Sequence, residues 1–128
     1  MNGENWKGKK VLVAGGAGMI GAHLARRLVK YGADVTIADN LSSGSAYNIK
    51  DIRKDAMFYQ VDLRDSLICQ RLTQHKDVVF QLAANMGGIG WISTIGADIM
   101  RDSGLINTNM LEAARLACVP KYFYSSSA

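Results

Sequence analysis

The chain has few cysteines, and it lacks both a long apolar run and a block of like charges. Each of these features excludes a class of protein. Its two cysteines, Cys69 and Cys118, form no Cys-x-x-Cys pair, and no His/Cys cluster has metal-binding spacing. The sequence therefore gives no sign of a disulfide scaffold or a metal site, and it suits a reducing compartment. No uninterrupted apolar run approaches the ~18–20 residues that span a bilayer. We expect a cytoplasmic protein that binds neither a membrane nor a metal.

Basic residues outnumber acidic ones by 15 to 11, which gives a formal net charge of +4. They are scattered along the chain, and their densest group is KGKK at residues 7–10. A nucleic-acid-binding patch is usually larger than this group. We therefore expect a solvated basic surface and no nucleic-acid partner.

Strand-like and helix-like segments alternate along the chain. The apolar run at 9–15 has no period-two alternation, which is typical of a strand buried on both faces. The predicted strands cover 9–15, 34–39, 57–62, 77–84 and 121–128, and the predicted helices cover 21–32, 45–53, 64–75 and 97–117. This alternation predicts an α/β fold, a doubly wound, Rossmann-like parallel sheet with helices on both faces.

Four glycines, Gly15, Gly16, Gly18 and Gly21, lie between the first strand and the first helix. This is the place at which a doubly wound sheet binds a dinucleotide. We expect Gly15 to form the tight turn, Gly18 to let a pyrophosphate approach, and Gly21 to let the helix pack against the sheet. The helix N-terminus offers free N–H groups and a partial positive charge to the phosphates. No Lys-Ser or Lys-Thr pair follows, which disfavours a triphosphate-binding P-loop.

Two acidic residues end neighbouring predicted strands. Asp39 stands where an acid accepts hydrogen bonds from the adenosine ribose hydroxyls and repels a 2′-phosphate, which predicts NAD rather than NADP. The alternative is that Asp39 only caps a turn with Asn40. Asp62 is expected to meet the adenine beside the Leu63 backbone, to cap the helix that begins near Arg64, or to do both.

Six motifs in order resemble those of the extended short-chain dehydrogenase/reductases, the family of nucleotide-sugar epimerases and dehydratases. They are GGAGMIG (15–21), ADN (38–40), VDLRD (61–65), LAA (82–84), MLEAAR (110–115) and YSSSA (124–128). A narrower likeness lies in AANMGGIGWI (83–92), which is similar to the AAxMGGxGxI loop of GDP-mannose 3,5-epimerases. The resemblance covers the chain from about residue 9 to its last residue.

The resemblance implies a bound NAD that transiently oxidises a sugar hydroxyl, so that a carbon is epimerised or water is eliminated before the hydride returns. The motifs and the resemblance together assign these residues to the cofactor: Gly15, Gly18, Met19, Ile20, Gly21, Asp39, Asn40, Ser43, Gly44, Asp62, Leu63, Leu82, Ala83, Ala84 and Ser103. Ser103 stands where many relatives carry Asn, so we expect a weaker or water-mediated contact there. Met86, Gly87 and Gly88 are expected to face the sugar nucleotide, and a flexible turn is the alternative for the glycines.

The catalytic pair of the family, Tyr-x-x-x-Lys, does not occur in this sequence, because none of its five tyrosines has a lysine four residues later. Ser127 matches the serine that assists proton transfer in the family, and it is the catalytic candidate here. We therefore expect residues 9–128 to form an incomplete NAD-binding domain, truncated after the fifth strand and preceded by an N-terminal extension at 1–8.

Two functions remain open on the sequence alone. The first is the NAD-binding portion of an enzyme that acts on a GDP-, UDP- or dTDP-linked hexose, inactive alone, with a homodimer as one option. The second is a stand-alone, non-catalytic dinucleotide-binding module that serves as a sensor or partner subunit. The loop at 85–92 and Ser127 favour the first, because a sensor needs neither.

Overall fold

The computed structural model describes residues 5–84 and 92–125, and the side chains of 92–100 are outside the description. Within these residues the strands are β1 (Lys10–Ala14), β2 (Asp34–Asp39), β3 (Ala56–Gln60), β4 (Val78–Gln81) and β5 (Lys121–Tyr124). The α-helices are α1 (Met19–Lys30), α2 (Ser66–Thr73) and α3 (Ile92–Leu116), and a 3₁₀ helix covers Ala46–Ile52. No helix in this part of the chain is long and apolar enough to cross a membrane.

The five strands form one parallel sheet in the order β3-β2-β1-β4-β5. The chain runs outward from β1 to β3, then returns to the other side of β1 for β4 and β5. The predicted doubly wound, Rossmann-like fold is confirmed. Such an order leaves a crevice above the carboxyl ends of β1 and β4, where connections leave in opposite directions.

Alternate side chains of β1 enter two separate hydrophobic clusters. Val11 and Val13 pack in the cluster that contains Leu28 of α1. Leu12 and Ala14 pack in the cluster that contains Met110 of α3. Both faces of the strand are therefore covered by helices, which explains why its sequence is apolar without alternation.

Four strands end earlier than the sequence predicts: β1 at Ala14, β3 at Gln60, β4 at Gln81 and β5 at Tyr124, with Ser125 outside the strand. The ends of β3 and β4 have a local cause. The predicted strand 77–84 stops at Gln81, because the Gln81 side chain bonds both the N–H and the carbonyl of Ala83 and turns the chain away. The predicted strand 57–62 stops at Gln60, because its partner β2 ends at Asp39. Asp62 therefore lies in the loop after β3 rather than at the strand end.

The long helix α3 begins at Ile92, five residues before the predicted start near 97. The segment ISTIG at 92–96 contains two isoleucines, a serine, a threonine and a glycine, all weaker helix formers than alanine or leucine. Local propensity therefore favours a later start than the fold adopts.

Candidate functional site

A cleft of about 300 Å³ lies above the carboxyl ends of the strands, on the side where the glycine turn joins β1 to α1. Its walls come from the ends of four elements and the loops that follow them. The lining residues are Gly15, Gly18, Asp39, Asn40, Ser42, Ser43, Val61, Leu63, Arg64, Leu82, Ala83, Ala84, Asp102 and Ile106. Parallel sheets bind ligands at this edge.

The floor of the cleft is a turn that requires glycine at two positions. Gly15 has φ +80°, and a Cβ there would lie 2.7 Å from the Ala83 nitrogen. A Cβ on Gly21 would collide with the Gly15 carbonyl oxygen and lie 2.7 Å from the Gly16 Cα. Gly21 therefore lets α1 pack against the turn itself, rather than against the sheet as the sequence predicts.

The N-terminus of α1 opens into the same cleft. Gly18 is the N-cap residue, and it has no side chain that could cap the helix. The first N–H groups of an α-helix have no partner inside the helix, and the helix dipole gives this end a partial positive charge. The first turn of α1 contains no acidic residue that would offset this charge. This end of the cleft suits an anion.

Asp39 carries the negative charge of the cleft floor. Its side chain is 8% exposed, and Oδ2 accepts a hydrogen bond from the Ala17 N–H at 3.0 Å. Oδ1 accepts one from the Leu41 N–H at 2.8 Å, which holds Leu41 in the left-handed region at φ +63°. The turn-cap role is therefore present, with Leu41 rather than Asn40 as donor. Each carboxylate oxygen keeps a second lone pair for a ligand hydroxyl.

The loop between β2 and the 3₁₀ helix is tied to the glycine turn. The Ala17 carbonyl accepts hydrogen bonds from the Ser45 N–H at 3.1 Å and from Asn48 Nδ2 at 2.8 Å. Asn40 Oδ1 accepts one from the Ser42 N–H at 3.0 Å. These bonds hold the loop against the mouth of the cleft, so that Asn40 and Ser43 reach its lining.

The opposite wall is formed by the loop after β3. Asp62 does not cap α2, because Asp65 is the N-cap residue and accepts from the Leu67 N–H. Asp62 instead pairs with Arg64, with Arg64 Nη2 2.7 Å from Asp62 Oδ2. The Arg64 guanidinium holds the pKa of the Asp62 carboxyl below its usual range, and burial opposes this to a smaller degree. The Asp62 carboxylate is therefore already occupied on its own loop.

The wall on the side of β4 is braced by buried polar contacts. Gln81, which is 1% exposed, donates from Nε2 to the Ala83 carbonyl at 2.7 Å and to Asn107 Oδ1 at 2.8 Å. Asn107 Nδ2 donates to the Tyr124 hydroxyl at 3.0 Å. The network joins β4, α3 and β5 and fixes Leu82, Ala83 and Ala84 at the cleft.

The structure brings most of the predicted cofactor residues together. Gly15, Gly18, Asp39, Asn40, Ser43, Leu63, Leu82, Ala83 and Ala84 all line the cleft. Met19 and Ile20, which are 79% and 73% exposed, begin α1 and are not among the lining residues. Gly21, Gly44, Asp62 and Ser103 are not among the lining residues. The predictions for Met86, Gly87, Gly88 and Ser127 lie outside the described residues.

Sequence reasoning missed five residues of the lining, namely Ser42, Val61, Arg64, Asp102 and Ile106. Asp102 lines the cleft where its neighbour Ser103 was predicted to act. The i, i+4 spacing of Asp102 and Ile106 places both on one face of α3, but the sequence does not show which face turns toward the cleft.

Comparisons with known proteins agree with this geometry. The model of the NAD dependent epimerase/dehydratase family matches residues 11–128. GDP-mannose 3,5-epimerase of Arabidopsis thaliana is 39% identical over 119 residues, which cover 93% of this chain and 31% of that protein. The structure of an epimerase from Methanothermobacter thermautotrophicus has a TM-score of 0.89 at 35% identity, and the match covers 98% of this chain and 37% of that one.

A second solved structure shows what a relative binds. UDP-glucose 4-epimerase of Stenotrophomonas maltophila, solved with bound NAD and formylated UDP-arabinopyranose, has a TM-score of 0.84 at 32% identity. The match covers 94% of this chain and 37% of that protein. The chain thus spans about a third of the length of the relatives it matches. With a family model that covers residues 11–128, the chain belongs to the NAD dependent epimerase/dehydratase family.

Proposed function

We propose that this chain is the NAD-binding portion of a nucleotide-sugar epimerase or dehydratase, and that it is inactive toward sugars alone. One observation carries the proposal, namely that a buried carboxylate and an uncapped helix N-terminus face the same cleft. Asp39 supplies the carboxylate, and Gly18 begins the helix. A dinucleotide needs this pair of groups, an acceptor for ribose hydroxyls and donors for a pyrophosphate.

The residues present fit a dinucleotide at each part of the cleft. Close approach of the pyrophosphate requires that Gly18 have no side chain. In the described part of the chain, a Cβ at Gly18 would meet only the Gly15 carbonyl oxygen, at 3.5 Å, so the space beside Gly18 is open. The ribose hydroxyls would donate to Asp39, whose oxygens each retain a lone pair. Leu82, Ala83 and Ala84 would line the nicotinamide half, since they lie on the β4 side of the crevice.

NAD, when bound, supplies the acceptor and later the donor of a hydride. The residues of this chain hold and orient it, and they keep one side of the reacting centre dry through the buried ends of β1 and β4. Ser127 is proposed to donate or accept a hydrogen bond at the reacting sugar oxygen. Tyr-x-x-x-Lys does not occur in the 128 residues, so proton transfer would depend on residues outside this sequence.

The preference for NAD over NADP tests the proposal at the ribose. Asp39 places a carboxylate where NADP carries a phosphate, so we expect calorimetric titration of the purified chain to show saturable binding of NAD and weaker binding of NADP. Equal or tighter binding of NADP would contradict the assigned role of Asp39. Absence of saturable NAD binding would contradict the proposal as a whole.

The proposal for sugar chemistry has a separate test. Because relatives act on sugars linked to GDP and UDP, as their names state, GDP-mannose and UDP-glucose are the substrates to assay with NAD. We expect no epimerised or dehydrated product from this chain alone. Turnover would refute the proposed inactivity, whereas absence of product would agree with both the NAD-binding portion and the sensor module.

A further inference from the structure

Arg64 lies between two carboxylates at the edge of the cleft. Its Nη2 is 2.7 Å from Asp62 Oδ2, and its Nη1 is 3.5 Å from Asp102 Oδ2. Asp62 belongs to the same loop as Arg64, two residues earlier, whereas Asp102 belongs to helix α3. The guanidinium therefore connects the loop after β3 to helix α3, which follows β4, a strand on the other side of β1 in the strand order.

One face of α3 carries three attachments for this loop. Asp102, Ile106 and Asn109 follow one another at i, i+4 and i+7, which places them on one side of the helix. Asn109 Nδ2 donates to the Arg64 carbonyl at 2.8 Å and to the Leu63 carbonyl at 3.3 Å. Ile106 is 7% exposed and shares a hydrophobic cluster with Leu63. Asp102 adds an ion pair to these attachments and, like Ile106, lines the cleft.

The loop that these contacts hold forms the far wall of the cleft. The lining residues on the side of β3 are Val61, Leu63 and Arg64. In the strand order, β3 follows β2, which ends at Asp39, so this wall lies farther from the crevice between β1 and β4 than Asp39 does. If a dinucleotide places its ribose at Asp39, its adenine extends toward this wall. The position of the wall then sets how closely the base is enclosed.

We propose that Asp102 is a positioning residue for the cofactor, which fixes the wall of the adenine end through its ion pair with Arg64. The inference rests on the proposed NAD function. Asp62 cannot take this role, because a pair within one loop does not fix that loop relative to α3. The Asp102 side chain is 14% exposed, so water and salt screen its pair with Arg64 less than they screen a fully exposed pair.

The substitution Asp102→Asn tests the inference, because it removes the charge and keeps the shape. Loss of a negative charge near the cleft would by itself tighten binding of the anionic NAD. Loss of the positioned wall would weaken it. We expect calorimetry to show NAD binding weakened by about two- to fivefold, the range that corresponds to a partly exposed ion pair. Because the two effects change the NAD affinity in opposite directions, the measured change shows whether Asp102 acts by positioning the wall or only by its charge.

Three controls make the measurement specific. Asp51→Asn breaks a more exposed ion pair outside the cleft, Arg26 Nε to Asp51 Oδ2 at 2.6 Å, and is expected to leave NAD binding unchanged. Asp102→Glu keeps the charge and is expected to recover most of the affinity. In an Arg64→Gln background, Asp102→Asn is expected to cause no further loss, because the pair is already broken.

Unchanged or tighter NAD binding by the Asp102→Asn chain would overturn the inference while leaving the proposed NAD function intact. An equal loss in the Arg64→Gln background would also overturn it, because the effect of Asp102 would then not pass through Arg64. Absence of NAD binding by the unsubstituted chain would instead overturn the proposed function, and with it the inference. Thermal unfolding of each variant shows whether an affinity loss reflects a loss of folded protein.

Discussion

Two glycines of the chain differ in the space around the missing side chain. A Cβ at Gly21 would meet backbone atoms of Gly15 and Gly16, which have no room to move within the turn. A Cβ at Gly104, in the middle of α3, would meet no atom of the described residues within 4 Å. The same substitution therefore has opposite expected effects at the two positions.

Gly21→Ala is expected to lower the free energy of unfolding by about 1–3 kcal/mol, because it overpacks the turn. Gly104→Ala is expected to raise it by up to about 1 kcal/mol, because alanine is the better helix former. Urea denaturation of the two variants measures both changes. A neutral Gly21→Ala substitution would show that the turn relaxes without cost, contrary to the close packing described here.

Two buried acidic groups make the fold sensitive to alkaline pH. Burial raises the pKa of Cys69 to about 11 and that of Tyr122 to about 12, and nearby negative groups add smaller increments. Their ordinary values are 9.0 and 10.0, so the folded state holds both protons more tightly than the unfolded state. Their contribution to stability is therefore fully present below pH 9 and is lost as pH rises through these pKa values.

Tyr122→Phe isolates one part of this loss. The Tyr122 hydroxyl is buried and accepts or donates no hydrogen bond within the described part of the chain. Its removal is expected to leave stability at pH 7 unchanged or slightly higher. It is also expected to reduce the fall in melting temperature above pH 10. A melting curve that falls equally in both chains between pH 10 and 12 would show that Tyr122 does not retain its proton in the folded state.

At the residue scale, the sequence predicts those site residues that have a fixed place in a motif. Asp39 and the turn glycines were predicted because their spacing from β1 is set by the crossover between two adjacent strands. Arg64 and Asp102 were not, because they are distant in sequence and meet only after α3 packs beside α2. A side-chain pair between such distant residues has no local sequence pattern from which it could be predicted.

At the scale of elements, α3 provides a direct test of the core. Met110 is fully buried in the cluster between α3 and the sheet, whereas the adjacent Leu111 is 57% exposed. Met110→Ala is expected to cost about 2–5 kcal/mol through lost burial and a cavity. Leu111→Ala is expected to change stability by less than about 0.5 kcal/mol.

Chemical denaturation of the two alanine variants compares these positions within one helix. Because the residues are neighbours with equal helix context, the difference between them reports burial rather than helix propensity. Similar costs at the two positions would mean that this face of α3 does not pack as described.

The order and type of the elements follow from the sequence, but their ends do not. Alternating apolar runs and helical periods predict each strand and helix, since both periods are set by backbone geometry. The ends depend on local competition, as at Gln81, whose side chain takes the hydrogen bonds that would extend β4 through Ala83. A glutamine that makes such bonds looks, in sequence, like any polar residue after a strand.

At the scale of the whole molecule, the parallel sheet brings the glycine turn, Asp39 and the loops after β3 and β4 to one edge. Right-handed crossovers place all these segments at the carboxyl ends of the strands, which is why a site could be predicted before the fold was seen. The chain spans about a third of the length of its relatives, and the proposed function is limited to the cofactor-binding part accordingly.

Gly18 offers the most direct test of this central claim. Its backbone has φ −76° and ψ 175°, which alanine adopts without strain. Among the described residues, a Cβ there would meet only the Gly15 carbonyl oxygen, at 3.5 Å. Gly18→Ala therefore leaves the fold nearly unchanged but places a methyl group at the cleft. Gly104→Ala, at an exposed position of α3 that is not among the residues lining the cleft, is the matched control.

The measurement is calorimetric titration of NAD into the unsubstituted, Gly18→Ala and Gly104→Ala chains, at a temperature at which thermal unfolding shows all three to be folded. The account predicts saturable binding by the first and third, and a loss of at least about fivefold in the second, which corresponds to about 1 kcal/mol of steric conflict. Equal NAD affinity in all three chains, or no NAD binding by the unsubstituted chain, would contradict it.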